Sequence, residues 1–425
     1  MSMKNDVLIP SSWRNERIKN IGTVNGRVGW KALKAAEYVE NGYFFLSTPN
    51  IKDNEIDFIN VNYITAERYF ESPEIMLQEN DVLLVKDGST LGIVNFIRHL
   101  PSEGTVNSSI AVLRFKNENA HFIYYFLKSN LIQEVIQLKK DGMGVPHLFQ
   151  KDINNFEIFL PSFSEQTTIA QYLDRKTKAV DRKTALLQQK IETYKKLRKA
   201  IINKAVTKGL EDKMELKESE IDWIGKIPKH WEVKRFKDVV KKYTTGGTPS
   251  TSNTSFFEGK NTWICIGDLS DEKYIGKSAI GLSDEAIITA NILKTPKGSL
   301  LYSFKLSIGK MAFVTKDVYT NEAIISIFPN HIIELEYFYY MLPIFMELAA
   351  TENIYGAKML NQKLITNALL IYPPINEQRK IAAYLNQKTA TIDKIVENLQ
   401  TQITTLQHFR KVLINDAVTG KIKVV

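Results

Sequence analysis

Cysteine is almost absent from this chain of 425 residues, since Cys265 is its only one. A single thiol excludes an intramolecular disulfide and any zinc site built from several cysteines, and it fits a reducing compartment. No apolar run approaches the roughly 18 residues that a bilayer span needs, and the N-terminal stretch MSMKNDVLIP lacks the apolar core of a signal peptide. The sequence therefore predicts a cytoplasmic protein with no membrane segment.

The motifs that usually carry catalysis are also missing. The chain has no GxxxxGK[ST] phosphate loop, no HExxH, no glycine-rich cofactor loop and no clear metal constellation among its six histidines. YPPI at 372–375 superficially resembles the Asn/Asp-Pro-Pro-Tyr motif of amino-methyltransferases. It fails chemically, because Tyr372 does not offer the required amine-accepting geometry and Ile375 has no stacking face. We expect no catalytic residue, metal or cofactor on this chain.

An internal repeat is the strongest positive feature of the sequence. EQTTIAQYLDRKTKAVD at 165–181 matches EQRKIAAYLNQKTATID at 377–393, an offset of 212 that holds without a gap to Thr207 and Thr419. Over these 43 aligned positions 20 residues are identical, which indicates duplication. Apolar residues recur in steps of three and four in both copies, as on one face of a long helix.

The repeat predicts two long helices, at 161–210 and 373–425. Pro161 and Pro373 block an earlier start, and Ser162 or Ser164 in one copy and Asn376 in the other can cap the first turn. At about 1.5 Å per residue, a helix of roughly 43 residues is about 65 Å long. A stripe of this length needs a partner, and periodicity alone leaves open a pair formed by the two helices of one chain or a coiled coil between two chains.

The duplication extends beyond the helices. IPSSWRNERIK at 9–19 aligns with IPKHWEVKRFK at 227–237, LLVKDGSTLG at 83–92 with LLYSFKLSIG at 300–309, VNSSIAVL at 106–113 with TNEAIISI at 320–327, and GVPHLFQKDI at 144–153 with GAKMLNQKLI at 356–365. We therefore predict a mixed α/β protein: globular α+β regions at 1–160 and 227–372, each followed by a long helix, with a charged linker at 211–226. HFIYYFLKSNLIQEVIQ and LEYFYYMLPIFMELA are expected to be helical, the second kinked or shortened at Pro343.

The formal net charge of +9 is concentrated in the predicted helices. Residues 165–210 contain 12 Lys and Arg against 4 Asp and Glu, and residues 377–425 contain 8 against 4, so the rest of the chain carries −3. A solvated helix face is the ordinary explanation. The same Lys and Arg side chains would also increase the affinity for a DNA duplex lying on these helices, because binding releases counterions from the DNA.

The repeated helix motif resembles the PxxxEQxxIAxYL element of the specificity subunits of type I restriction-modification systems. The match covers Pro161, Glu165, Gln166, Ile169, Ala170, Tyr172, Leu173 and Asp181, with Pro373, Glu377, Gln378, Ile381, Ala382, Tyr384, Leu385 and Asp393 in the second copy. DWIGKIPKHW at 222–231, GGTPS at 246–250 and AVTGK at 417–421 are also similar to that family. The first copy departs from it, with NGRVGW at 25–30 in place of GGTP and AVTKG at 205–209 at its end.

The resemblance implies two target recognition domains held apart by an antiparallel helix pair, each reading half of a bipartite, asymmetric site in double-stranded DNA. It implies that the helices dock two methylation subunits, which carry S-adenosylmethionine, and that restriction subunits using ATP and Mg join the complex. The isolated chain could also self-associate. For the helix pair and its docking surface we select Glu165, Gln166, Ile169, Tyr172, Leu173, Leu187, Ile191, Glu377, Gln378, Ile381, Tyr384, Leu385, Leu399 and Ile403.

Candidate DNA contacts are polar residues on loops between the matched strands, where side chains can reach bases or phosphates. For any single residue, mere exposure is an equally good explanation. The candidates are Lys86, Ser89, Thr90, Asn107, Ser108, His147 and Lys151 in the first region, and Thr248, Ser250, Lys305, Ser307, Asn321, Lys358 and Lys363 in the second. Two rival functions stay open: the recognition part of a single-chain restriction-methylation enzyme, and a coiled-coil scaffold that binds only protein.

Overall fold

The structure is a computed structural model, and it describes residues 9–27, 33–140, 147–211, 213–221, 224–305, 307–352 and 358–424. Parts of five motifs quoted above, at 28–30, 144–146, 222–223, 306 and 356–357, lie outside the described residues, as do residues 1–8 of the N-terminal stretch. The chain divides into two compact units. The first unit comprises Met1–Gln188 and Leu399–Val425, and the second comprises Gln189–Asn398. Each unit therefore contains a part of both long helices.

The first half of the chain alternates short strands with helices. The strands are β1 Arg14–Arg17, β2 Gly22–Asn25, β3 Tyr43–Leu46, β4 Asn62–Ile64, β5 Val82–Val85, β6 Val94–Phe96, β7 Gly104–Val106, β8 Ile110–Phe115 and β9 Glu157–Leu160. The helices are α1 Ile18–Ile21, α2 Ala66–Phe70, α3 Ala120–Leu127, α4 Asn130–Lys140, α5 Gln150–Asn154 and the long α6 Phe163–Lys208.

The second half follows the same plan. Its strands are β10 Leu216–Glu218, β11 Lys226–Pro228, β12 Glu232–Arg235, β13 Tyr243–Thr245, β14 Asn261–Ile264, β15 Tyr274–Ile275, β16 Gly281–Leu282, β17 Leu300–Ser303, β18 Met311–Val314, β19 Tyr319–Thr320, β20 Ile324–Ile327, β21 Thr351–Glu352, β22 Lys358–Met359 and β23 Leu369–Tyr372. Its helices are α7 Phe236–Val239, α8 Asp284–Thr289, α9 Leu335–Ala349, α10 Gln362–Asn367 and the long α11 Ile375–Val418.

The sheets repeat between the two units. The first unit has sheets of order β2-β8-β5-β6, β4-β3-β7 and β1-β9, and the second has β13-β20-β17-β18-β15, β16-β14-β19 and β12-β23. Central strands such as β5 and β17 are buried along their whole length, which explains their continuous apolar sequences. Strand β15 extends the larger sheet of the second unit. The mixed α/β class and the internal repeat are thus confirmed.

The long helices begin where their prolines predict. Helix α6 starts after Ser162, whose hydroxyl accepts a hydrogen bond from the Glu165 amide at 3.3 Å. The prediction that Asn376 caps the second helix is wrong, since α11 starts one residue earlier at Ile375 and the Glu377 amide donates to the Pro374 carbonyl instead. Helix α6 contains 46 residues and α11 contains 44. Their lengths are therefore about 69 and 66 Å.

Two other expectations need correction. HFIYYFLKSNLIQEVIQ forms two helices, because the chain turns after Leu127 and the amides of Lys128 and Ser129 bond back to carbonyls three residues earlier. In the second unit Pro343 does not shorten α9, which continues to Ala349. The buried apolar face of α9 holds this helix together despite the missing proline amide.

The segment expected to be a linker, 211–226, is partly ordered into a sheet. Strand β10 pairs antiparallel with β11, from Leu216 opposite Pro228 to Glu218 opposite Lys226. The absence of apolar periodicity hid this hairpin, because its β10 residues are all exposed and gain little from burial.

Each unit contains an antiparallel stretch of the helix pair. In the first unit Asp181 of α6 pairs with Arg410 of α11 at 3.0 Å, and residues 169–173 share a core with residues 413–418. In the second unit Arg198 pairs with Asp393 at 3.0 Å, and residues 202–206 share a core with residues 381–385. Within one unit, moving backward along one helix corresponds to moving forward along the other. The antiparallel helix pair that the resemblance implies is therefore confirmed within one chain, and the alternative of a coiled coil between two chains is not needed.

Candidate nucleic-acid interface

The glutamine of the repeated EQ motif fastens each long helix to the strand that precedes it. Gln166 is completely buried. Its amide nitrogen donates to the Pro161 carbonyl at 3.0 Å and to Glu118 Oε2 at 2.6 Å, and its Oε1 accepts from the Asn119 amide at 2.8 Å. The fully satisfied amide fixes the angle at which the strand turns into the helix.

Gln378 does the same in the second unit. It too is completely buried, donating to the Pro373 carbonyl at 2.8 Å and accepting from the Glu334 amide at 2.9 Å. The neighbouring Glu377 accepts from the Trp231 indole at 2.8 Å. The repeated motif thus encodes a structural joint as well as a sequence signature.

The residues selected for the helix pair divide by burial. Nine are buried, namely Gln166, Ile169, Leu173, Leu187, Ile191, Gln378, Ile381, Leu385 and Ile403. Tyr172, Glu377, Tyr384 and Leu399 are partly buried, and Glu165 is exposed. The two buried glutamines bond to the globular region of their unit, as described above. A docking partner could contact only the five residues that are partly or fully exposed.

A polar cluster joins each globular region to its long helix. In the first unit Asp174 accepts hydrogen bonds from Arg98 at 2.8 Å and from the Tyr125 hydroxyl at 2.7 Å, and it lies 2.9 Å from His121 Nε2. Burial alone raises the pKa of Asp174, but the hydrogen bonds from His121, Tyr125 and Arg98 outweigh it and hold this pKa well below its usual range.

The second unit has a cluster of similar geometry, but its carboxylate lies on a different element. Asn386 stands at the position equivalent to Asp174 and accepts from Tyr340 at 2.8 Å and from Lys273 at 2.7 Å. Lys273 also forms an ion pair with Glu336, which stands at the position equivalent to His121. An acid and a base therefore face each other in both units, but the acid lies on the long helix in the first unit only.

Several loop residues selected for DNA contact come together in the first unit. The Lys86 amide donates to the Ser109 carbonyl at 2.8 Å, and the Leu148 amide donates to the Lys86 carbonyl at 2.8 Å. Asn107 lies beside them, where its side chain accepts from the Ser109 amide at 3.1 Å. The structure thereby gathers Lys86, Asn107, Ser108 and His147 at one edge of the sheet formed by β2, β8, β5 and β6.

A similar group forms in the second unit. The Thr248 hydroxyl donates to Glu322, and the Gly247 amide donates to the Thr320 carbonyl at 2.9 Å. The hydrogen bond from Thr248 lowers the pKa of Glu322, and the charge of Lys305 lowers it further against the effect of burial. Asn321 is adjacent in sequence and its amide donates to the Ile264 carbonyl at 3.1 Å, as the Asn107 amide does to the Leu46 carbonyl.

The remaining candidates lie around these groups or apart from them. Ser89 and Lys151 are exposed and Thr90 is partly exposed in the first unit, while Ser250, Ser307 and Lys363 are exposed in the second. Lys358 forms an ion pair with Glu347 of α9 at 2.7 Å. Asp87, Glu322 and the exposed Phe149 also lie in these two groups, and the sequence does not single them out because an acid or an apolar residue is not an obvious DNA contact.

A family model described as the type I restriction modification DNA specificity domain matches residues 10–193 and 228–405. The chain belongs to this specificity-domain family. The two matched ranges correspond to the two copies of the repeat, and each includes a globular region and most of a long helix.

Two curated relatives match this specificity-family chain over nearly its full length. The MjaVIII specificity subunit of Methanocaldococcus jannaschii is 26% identical over 98% of this chain and 94% of its own. The EcoKI specificity subunit of Escherichia coli K12 is 21% identical over 97% of this chain and 90% of its own.

Two solved structures share the fold. The first, from a study of complex assembly and conformational transition of the type I R-M system, has a TM-score of 0.74 at 16% identity and covers 98% of this chain and all of its own. The HsdS subunit from Thermoanaerobacter tengcongensis has a TM-score of 0.57 at 15% identity over 99% of this chain and all of its own. Among the described residues, no helix is long and apolar enough to cross a membrane.

Proposed function

We propose that the chain is the DNA sequence-specificity subunit of a type I restriction-modification complex and binds a bipartite, asymmetric target in double-stranded DNA. One observation carries the proposal: both units repeat one framework of strands, while the polar side chains at its loops differ between them. Two identical units would suit a symmetric site, whereas one framework with two sets of side chains suits two different half-sites.

The proposed complex supplies the chemistry that this chain does not. The helix pair docks two methylation subunits, which hold S-adenosylmethionine and methylate adenine, and restriction subunits join them with ATP and Mg. The chain itself is a non-catalytic subunit that acts in the cytoplasm. The excess of Lys and Arg on the long helices supports this assignment, because it favours a nearby duplex through counterion release.

Methylation mapping tests the function directly. The full chain is combined with its methylation subunit, S-adenosylmethionine and a random-sequence DNA library, and methylated adenines are located by sequencing. We expect one motif with two unlike halves and a fixed gap, and no motif with the methylation subunit alone. Methylation that lacks sequence preference would support the protein-only scaffold, and methyl transfer by the chain alone would support the single-chain enzyme.

A region exchange tests whether the two halves are read independently. Replacing Trp13–Leu160 with the corresponding region of another specificity subunit is expected to change one half of the motif and leave the other unchanged. A change in both halves would contradict independent readout.

A further inference from the structure

Asp87, His147 and Phe149 form a group of contacting side chains at the end of β5 in the first unit. Asp87 and His147 form an antiparallel backbone bridge, and the Leu148 amide donates to the Lys86 carbonyl at 2.8 Å. The backbone carrying His147 is therefore fixed to the end of β5. Leu148 is completely buried and anchors the other side of this segment.

The imidazole of His147 is also held by its neighbours. Its Nδ1 contacts Asp87 Oδ1, and the other carboxylate oxygen accepts a hydrogen bond from Lys86 Nζ at 3.3 Å. The Phe149 ring meets the imidazole edge-on, with 4.4 Å between ring centroids. A side chain fixed on two sides loses little further freedom when it binds a ligand.

The carboxylate of Asp87 determines which nitrogen of His147 carries the proton. A carboxylate accepts hydrogen bonds and does not donate them, so it places the proton of a neutral imidazole on Nδ1. Nε2 then carries a lone pair and acts as an acceptor. Nε2 has no hydrogen-bond partner within the part of the chain that the structure describes, and 33% of the side chain is exposed.

The second unit lacks this arrangement at the equivalent positions. Phe304 and Met359 stand where Asp87 and His147 stand, although the anchoring leucine is retained as the buried Leu360. The second unit thus repeats the buried leucine but not the polar pair formed by Asp87 and His147. A feature needed for folding would be expected in both copies, whereas a feature that reads one half-site is needed in one copy only.

We propose that His147 reads a base edge in one half-site, accepting a hydrogen bond at Nε2 from the exocyclic amino group of adenine or cytosine. These amino groups are the donors that bases present in the major groove, whereas guanine and thymine present acceptors at the corresponding positions. Asp87 is a positioning residue that keeps Nε2 in its accepting form, and Phe149 supplies an apolar neighbour. The inference rests on the proposed function and names a base contact within it.

The test uses the full chain with its methylation subunit and a library of DNA targets. His147→Ala is expected to lose about 10-fold discrimination at one base pair of one half-site, the usual scale of a lost base contact. Asp87→Asn can donate to Nδ1, so it should weaken or invert the preference at that same pair. Met359→Ala is the matched control and should leave that half-site unchanged.

Three outcomes would overturn the inference. His147→Ala with an unchanged motif would remove His147 from the readout while leaving the proposed function intact. Weaker binding to all sequences together with a shallower salt dependence would instead identify a phosphate contact. A wild-type complex with no motif would overturn the proposed function and this inference together. An unchanged preference at the other half-site and an unchanged melting temperature establish that His147→Ala is folded.

Discussion

A fragment that ends at Leu210 should form a homodimer, because the repeat allows a second copy to replace the missing helix. In the full chain the core of the first unit includes Leu413, Ile414, Ala417 and Val418 from the end of α11. The fragment lacks these residues. The equivalent positions on α6, 212 residues earlier, are Ile201, Ile202, Ala205 and Val206, so three of the four side chains are identical and the fourth is an isomer.

The energy at stake is comparable to the stability of a whole domain. A buried Leu, Ile or Val contributes about 1.5–3 kcal/mol, so losing three of them costs roughly 5–9 kcal/mol. Typical domains have only about 5–15 kcal/mol in total. A monomeric fragment would therefore be close to unfolding, whereas a dimer recovers nearly all of this burial twice.

The ion pair of the helix pair supports the same geometry. Arg410 pairs with Asp181 in the first unit, and the residue equivalent to Arg410 is Arg198. In the dimer, Arg198 of each copy would pair with Asp181 of the other. The hydrogen bond that the Asn130 amide donates to the Asn415 side chain would be replaced by one to Asn203 of the partner subunit, since asparagine occupies both positions.

Analytical ultracentrifugation of residues 1–210 measures the outcome. We expect twice the monomer mass, a melting temperature that rises with protein concentration, and binding to a palindrome built from one half-site. Ile202→Asp in the fragment should abolish dimerisation, since it places a charge in the shared core. A strictly monomeric fragment that unfolds cooperatively at a temperature independent of concentration would refute the reasoning.

Three further results are expected from single residues. Gln166→Ala should destabilise the first unit by about 2–4 kcal/mol in urea unfolding, because it leaves buried groups of Asn119 and Pro161 without a partner. A loss below about 0.5 kcal/mol would show that Gln166 does not stabilise the junction between strand and helix. Asp174→Asn should lower the free energy of unfolding at pH 7. The difference from wild type should shrink as the pH falls, since the stabilisation from a depressed folded-state pKa is complete above the unfolded-state pKa and is lost as the pH falls toward the folded-state pKa. A difference that does not depend on pH would show that the charge of Asp174 does not contribute. Burial raises the pKa of the Cys265 thiol to about 11, so iodoacetamide at pH 8 should modify it more than about 100-fold more slowly than free cysteine, and an equal rate would show an ordinary thiol.

The parts of the fold that follow from local pattern could be predicted from the sequence. The long helices were visible because 3.6-residue periodicity persists over more than 40 residues and occurs twice. The break after Leu127 was not, because FLKSN has no proline or glycine and the turn depends on tertiary packing of α3 and α4. The hairpin of β10 and β11 could not be predicted either, because the exposed residues of β10 show no alternation of apolar and polar side chains.

The candidate interface was predictable only as a set of loops. His147 was selected as a polar residue near matched strands, but its partner Asp87 lies 60 residues away and no local pattern connects them. The same holds for Gln166, whose partner Glu118 is 48 residues away. The EQ motif was recognisable from its repetition, whereas its role as a buried joint required the structure.

The charge difference between the two clusters at the helix joints limits how freely the globular regions can be exchanged. Placing the second globular region on the first helix would bring Glu336 beside Asp174, so that two carboxylates would share the single positive charge of Lys273. The native arrangement has one carboxylate and an uncharged Asn386. Two like charges that contact the same ammonium group destabilise a partly buried site by about 1 kcal/mol or more. We therefore expect a chimera of residues 227–372 joined to the first helix to be less stable than the chain itself, and Asp174→Asn to restore it. The same substitution in the wild-type chain is the matched control and should destabilise. An Asp174→Asn effect of the same sign in both backgrounds would show that this cluster does not match a globular region to its helix.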